Sequence, residues 1–399
     1  MVSLLLVCLL SGSCAPSRDF DNPLSSIVKP YGFSIMNWTF RTILGEANQR
    51  IFGRREKIDD EIRMVTEYFS STEQIKTLRS EIEAANAGNG EHDLASLGAE
   101  LNRLQERKMV LEGTVERIIE KQIRDALTQQ GIFNPVIELK VSFPPVNFKL
   151  EKLPYLLVIS PRERIESMRE IILKPSLILE EMESIEARVD ELGVSSLVVG
   201  LGGLGATYPT LVTNEASLRS TIDITIEEWL HQYLVFKPLG FLYLLDLTGL
   251  RRNYEIATMN ETLASMVSKE IGAIVYEKYY PEYESSANQN QAPKSEFDFN
   301  REMREIRKTV DTYLARGEIE QAEEFMKQKR RYLDSMGYHI RKLNQAYFAF
   351  HGTYADDPAF ISPIGLELKE LRSQSASVKD FLNTVAAMTS HQNLRDSIR

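Results

Sequence analysis

The chain has 399 residues, with 47 Lys and Arg against 57 Asp and Glu and a formal net charge of −10. That balance excludes a broad nucleic-acid-binding surface, and a composition that is 43% hydrophobic and 26% charged is ordinary for a globular protein. Cys8 and Cys14 are the only cysteines, so the body of the chain has neither a disulfide nor a thiolate metal site, and any metal there rests on His, Asp or Glu.

Residues 1–14 carry a short apolar core that ends in Ser11-Gly12-Ser13-Cys14. This reads as an export signal with a lipobox-like end, which makes Cys14 the lipidated residue of a protein anchored on the extracytoplasmic face of the cell membrane. Ser11 stands where such boxes usually carry Leu, and no Lys or Arg precedes the apolar core. A cleaved secreted form and a retained anchor are the alternatives. Residues 20 to about 55, with Pro23 and Pro30, read as a partly ordered lead-in.

From about Lys57 the pattern turns helical. Ile75, Leu78 and Ile82 form one stripe, and Asn86-Ala87-Gly88-Asn89-Gly90 breaks it. Leu94, Leu97, Leu101, Leu104, Leu111, Val115 and Ile118 then repeat at helical spacing, interrupted by Lys108. Residues 20–130 are therefore expected to hold a long antiparallel helical hairpin. It either packs on the body or projects as a coiled-coil arm toward a partner.

Residues 131–284 form the expected core. Val136 to Val141 alternates like a strand, Leu156 to Ile159 reads as a buried one, a Glu-rich helix spans about Leu177 to Leu192, and Ser195 to Val199 is another strand. Gly200-Leu201-Gly202-Gly203-Leu204-Gly205 matches G-x-G-x-x-G, but Pro209 and its β-branched neighbours oppose the helix a dinucleotide site requires. An edge strand with a glycine-rich approach fits better. A helix follows from about Ser217 to Lys237, then the apolar run Leu242 to Leu245, expected to be buried, then a helix from Thr258 to Gly272. Residues 285–295 read as a polar linker, and residues 296–399 as three or four further helices. The expected fold class is α+β, mainly α-helical, with a small sheet and the long hairpin.

Two motifs carry the chemistry. Glu227-Glu228-Trp229-Leu230-His231 is an H-E-x-x-H pattern with Glu in place of the first His, and Asn260-Glu261-Thr262-Leu263-Ala264 follows on the next helix. Residues four apart share a helix face, so Glu227 and His231 point the same way, while Glu228 turns aside. Glu261 from the second helix completes a three-ligand set with an open position.

In these residues and their order, the chain resembles the Glu-ligand zinc peptidases called gluzincins. It is similar in particular to a family of bacterial predicted aminopeptidases that are often lipoproteins. The resemblance covers roughly residues 195 to 390 and implies a zincin-like core. It also implies metal ligands at Glu227, His231 and Glu261, a general base at Glu228, and C-terminal helices walling the cleft. On those helices Asn344, Tyr347, His351 and Tyr354 share a stripe. A Tyr or His near the metal steadies the oxyanion in such enzymes, which points to His351 and Tyr354, then Tyr347. His92 and His391 read as solvated.

Glu227 is the departure from the pattern. A second carboxylate makes the ligand set harder and adds negative charge, so Zn2+, Mn2+ and no metal at all are the outcomes it leaves open. The expected partner is a peptide substrate. The alternative is a catalytically inactive, zincin-derived envelope protein that binds a protein partner.

Overall fold

The computed structural model describes residues 18–33, 58–86, 94–136, 142–205, 207–283, 297–352 and 363–398. Cys8, Cys14, His92, Tyr354, the 285–295 linker and nearly all of the strand expected at 136–141 lie outside them. The protein is mainly helical with two small sheets.

Helix α1 (Arg18–Val28) occupies the start of the expected lead-in. Phe20, Leu24 and Ile27 recur at helical spacing, and Leu24 and Ile27 are buried, so the segment has a face worth ordering. Helices α2 (Ile58–Asn86) and α3 (Leu94–Gln129) form the hairpin. Of the two expected placements it takes the packed one. Val65, Tyr68 and Phe69 of α2 and Leu111, Val115 and Ile118 of α3 belong to the main core. Lys108, which breaks the apolar stripe, donates to the Asn214 carbonyl at 2.5 Å and lies 5.0 Å from the Tyr68 ring centre.

Six strands and one helix follow in order: β1 (Phe148–Glu151), β2 (Tyr155–Pro161), β3 (Arg169–Leu173), α4 (Leu179–Asp190), β4 (Val194–Gly200), β5 (Gly203–Leu204) and β6 (Thr210–Thr213). One sheet has the order β3-β2-β4 and is antiparallel. The other has the order β1-β6-β5, with β1 parallel to β6 and β5 antiparallel to it. The glycine-rich stretch thus leads from strand to strand rather than from strand to helix, which is not dinucleotide-binding geometry. The free edge of β1 is covered by α3: Glu120 accepts from the Phe148 N–H and Glu116 from the Leu150 N–H.

Helices α5 (Leu218–Leu234), α6 (Pro238–Leu247) and α7 (Tyr254–Tyr279) build the centre. Ser217 caps α5 by accepting from the Ser220 N–H, and Asn253 caps α7 by accepting from the Ile256 N–H. Ile222, Ile226, Trp229 and Leu230 of α5 meet Met259, Leu263 and Val267 of α7 in the main core.

The C-terminal region holds α8 (Phe299–Ala315), α9 (Ile319–Ser335), α10 (Gln345–His351), α11 (Ile364–Gln374), α12 (Val378–Ala386) and α13 (His391–Ser397). That is six helices among the described residues, against the three or four expected, because short capped helices replace long ones. His391, read as solvated, is buried. Its Nδ1 lies 3.0 Å from Glu255 of α7, and its Nε2 meets Glu367 of α11.

Candidate metal centre

The stripe Asp223, Glu227 and His231 runs along the side of α5 that faces α7, since each is one turn from the next. Gly272 lets the two helices approach: a Cβ there would fall 1.9 Å from Asp223 Oδ1. Across the seam, Asn260 and Glu261 are buried on α7. Glu227, His231 and Glu261 each offer a ligand atom, and these atoms all lie within 4.8 Å of one another. The three form a group that could hold a metal ion.

His231 is oriented from behind. Its Nδ1 lies 3.0 Å from Asn260 Oδ1, so an Nδ1–H donated to that amide oxygen leaves Nε2 facing Glu261 Oε2 at 3.7 Å. Glu261 Oε1 accepts from the Tyr243 hydroxyl of α6. Glu261 Oε2 is buried and has no hydrogen-bond partner among the described residues. A buried carboxylate oxygen left unpaired beside an imidazole nitrogen is costly unless a cation or water meets it. One nitrogen and two carboxylate groups suit a divalent ion such as Zn2+ or Mn2+, so the donor set fits.

The Glu228 carboxyl lies against the glycine-rich stretch and lines the same cavity as His231 and Glu261. Added Cβ atoms at Gly203 and Gly205 would fall 2.4 and 2.3 Å from its two carboxylate oxygens. The glycines are therefore the space in which this carboxyl sits, and the Gly205 backbone N–H donates to it. Gln232, one turn beyond Glu228 on α5, ties the same loop down by donating to the carbonyls of Gly205 at 3.2 Å and Thr207 at 3.1 Å.

Burial and mutual repulsion set the protonation of the group. Burial pushes Glu227 up to about 8; His231 opposes this, Glu261 and Glu228 add to it, and Lys269 gives a smaller opposing attraction. Burial also pushes Glu228 up to about 7, with His231 opposing. Burial alone would lower His231, but Glu261, Glu228 and Glu227 outweigh it and hold the imidazole above its usual range.

Glu228, His231 and Glu261 all line one cavity of about 350 Å³. Its walls are largely apolar and include Phe143, Pro144, Val235, Phe236 and Leu244. Glu227 belongs to the ligand group but not to the cavity wall.

Two of the expected oxyanion-stabilising residues lie elsewhere. Tyr347 and His351 are on α10, which packs on β2 and β4, and neither lines the cavity. Their stripe holds the C-terminal region to the sheet: Asn344 donates to the Ser196 carbonyl at 2.9 Å, and the Tyr347 and His351 ring centres lie 4.3 Å apart with their planes tilted by 35°. Tyr354 is outside the described residues. Tyr243 stands at the site instead, its ring centre 5.9 Å from that of His231. It went unnoticed in the sequence because its neighbours Leu242, Leu244 and Leu245 read as core. A Tyr among leucines just after a metal-type helix is the signal that could have found it.

No family model, no curated protein and no solved structure matches the chain.

Proposed function

We propose that the protein is an exported, lipid-anchored metallopeptidase-like hydrolase built on a zincin-like core, with Glu227, His231 and Glu261 as the ligands of a divalent ion. One observation carries this reading: His231 and Glu261, two of the three clustered ligand groups, line the same cavity as Glu228. Among the described residues no helix is long and apolar enough to cross a membrane.

A divalent ion in such a site supplies Lewis acidity toward a peptide carbonyl. The chain supplies the rest. Glu228 takes a proton from the attacking water, whose oxygen bonds to the carbonyl carbon, and delivers that proton to the leaving amine as the C–N bond breaks. A carboxyl raised to about 7 is suited to both halves of that transfer near neutral pH. The Gly205 N–H and the glycine space fix its position. Asn260 holds the His231 ring. Tyr243, hydrogen-bonded to Glu261, is the described residue placed to steady the developing oxyanion. The apolar walls favour a bulky hydrophobic side chain next to the scissile bond.

The test is elemental metal analysis of the full chain purified without chelator, beside His231→Ala and Glu261→Ala. About one equivalent of Zn2+ or Mn2+, lost in both variants, supports the hydrolase. No metal after soaking in excess Zn2+ and Mn2+ rejects it. The inactive binding protein is the second reading. It is favoured by the burial that keeps Glu227 protonated up to about pH 8, a state in which it is a poor ligand.

A further inference from the structure

Helix α6 reads P-L-G-F-L-Y-L-L-D-L, and its single charged residue faces inward. Asp246 is buried, and its Oδ1 accepts from the Asn253 N–H at 2.6 Å. One side of α6 packs on α7, and another walls the cavity with Gly240, Tyr243 and Leu244. The apolar side chains left to solvent lie on the outer side of the helix, at the cavity mouth and just past the helix end. Phe241 is 53% exposed, Leu247 is 42% exposed, and Leu250, just past the helix end, is 73% exposed. An apolar helix normally hides its whole circumference, which is why the run Leu242 to Leu245 is expected to be buried from its sequence.

Cationic residues flank the helix at both ends. Lys237 stands at the start of α6, and Arg251 and Arg252 stand beyond its end. None of the three has a carboxylate partner among the described residues. Arg162, Arg341 and Arg372, by contrast, each make two hydrogen bonds to one glutamate. From Gln232 to Tyr254 the only acid is the buried Asp246, in a chain of net charge −10. Exposed Tyr254 and Phe236 flank it as well.

We propose that the α6 face docks on an anionic phospholipid bilayer. Phe241, Leu247 and Leu250 enter the boundary between headgroups and acyl chains, and Lys237, Arg251 and Arg252 meet the headgroup phosphates. An apolar face ringed by Lys or Arg and aromatic side chains is the pattern of an interfacial helix. Charge also selects the occupant. A second copy of the chain packed through this face about a twofold axis would set the two groups of cations against each other, whereas anionic lipid complements them. Leu247 also lines the cavity, so the mouth opens beside the lipid. The inference does not depend on the metal centre.

The test uses the full chain with Cys8→Ser, Cys14→Ser and Leu250→Cys, the new thiol carrying a polarity-sensitive fluorophore. It is mixed with vesicles of phosphatidylcholine alone or with added phosphatidylglycerol. A blue shift on the anionic vesicles, reversed by salt, is expected. Arg251→Gln with Arg252→Gln should weaken that binding by about fivefold per cation removed. Phe241→Asp should abolish it, with circular dichroism confirming the fold; the exposed arginine pair decides the matter if that variant misfolds. An unshifted fluorophore on anionic vesicles overturns the proposal, even where the N-terminal segment holds the chain on them. A shift that needs only a higher protein concentration also overturns it and makes the face a protein interface.

Discussion

Where α3 lies along β1, Glu116 is buried with a donor on each oxygen: the Leu150 N–H at 2.8 Å and Lys149 Nζ at 2.8 Å. Where α4 lies along β4, buried Glu186 accepts from the Val198 N–H at 2.6 Å and from both terminal nitrogens of Arg341. The α5–α7 seam treats its glutamates differently. Glu227, Glu228 and Glu261 surround one histidine, and Glu261 Oε2 has no donor. Among the described residues, the buried side-chain atoms without a hydrogen-bond partner are on Thr221, Asp223, Thr258, Asn260, Glu261 and Thr262, all of α5 or α7. Burial lifts Glu116 and Glu228 alike to about 7. Protonation therefore does not separate the structural seam from the candidate site; the missing partners do.

The sharpest way to break this contrast is to neutralise one glutamate on each side. Glu228→Gln should lower peptide turnover by about 10²- to 10⁴-fold, the worth of a general base, while metal content holds. Glu116→Gln should leave both turnover and metal content unchanged. Equal losses in the two variants would erase the distinction. On the structural side, Glu186→Ala leaves the Val198 N–H without its acceptor and a partly exposed Arg341 without its carboxylate, with the Val198 carbonyl still accepting from Arg341. It should cost about 2–3 kcal/mol in urea unfolding, less than a fully buried pair because Arg341 can reach water. A cost below about 0.5 kcal/mol would show that the seam does not depend on that carboxylate.

Asn260→Ala addresses the centre without touching a ligand. Freed from its orienting amide, His231 should bind the ion about 10- to 100-fold more weakly, with the melting curve of the chelated protein little changed. A loss confined to stability would make Asn260 a packing residue instead.

The hairpin and the two motif helices were readable because each announces itself locally. Leu104, Leu111, Val115 and Ile118 repeat on one face, and Ser217 caps the helix that carries the first motif. The misreadings share one cause, which is partners remote in sequence. Strands β1, β3 and β6 are four or five residues long and gain their stability across the sheet; β1 relies also on Glu116 and Glu120. His391 is buried by Glu255 and Glu367, which local composition cannot reveal. The orphan oxygen of Glu261 was equally invisible, although Glu261 itself was legible from the N-E-x-x-A pattern.

The finest test of the contrast is pH, because only the unpartnered seam couples protonation to an ion. Glu227, held up at about 8 by burial, carries its proton at neutral pH in the ion-free protein, and His231 is also shifted toward its charged form. An entering cation must displace these protons. Affinity for Zn2+ should therefore rise with pH, by about tenfold per unit for each proton displaced, and level off above about pH 8. The sign for stability is opposite. The folded Glu227 binds its proton more tightly than the unfolded group at 4.5, so this contribution is full below pH 4.5 and is lost as pH rises through about 8. Calorimetric titration in buffers of different ionisation enthalpy counts the protons released, and melting curves in chelator follow stability. Glu227→Gln, which cannot titrate, should flatten both profiles. Profiles identical to those of the unaltered chain would mean that Glu227 neither binds the ion nor holds the proton.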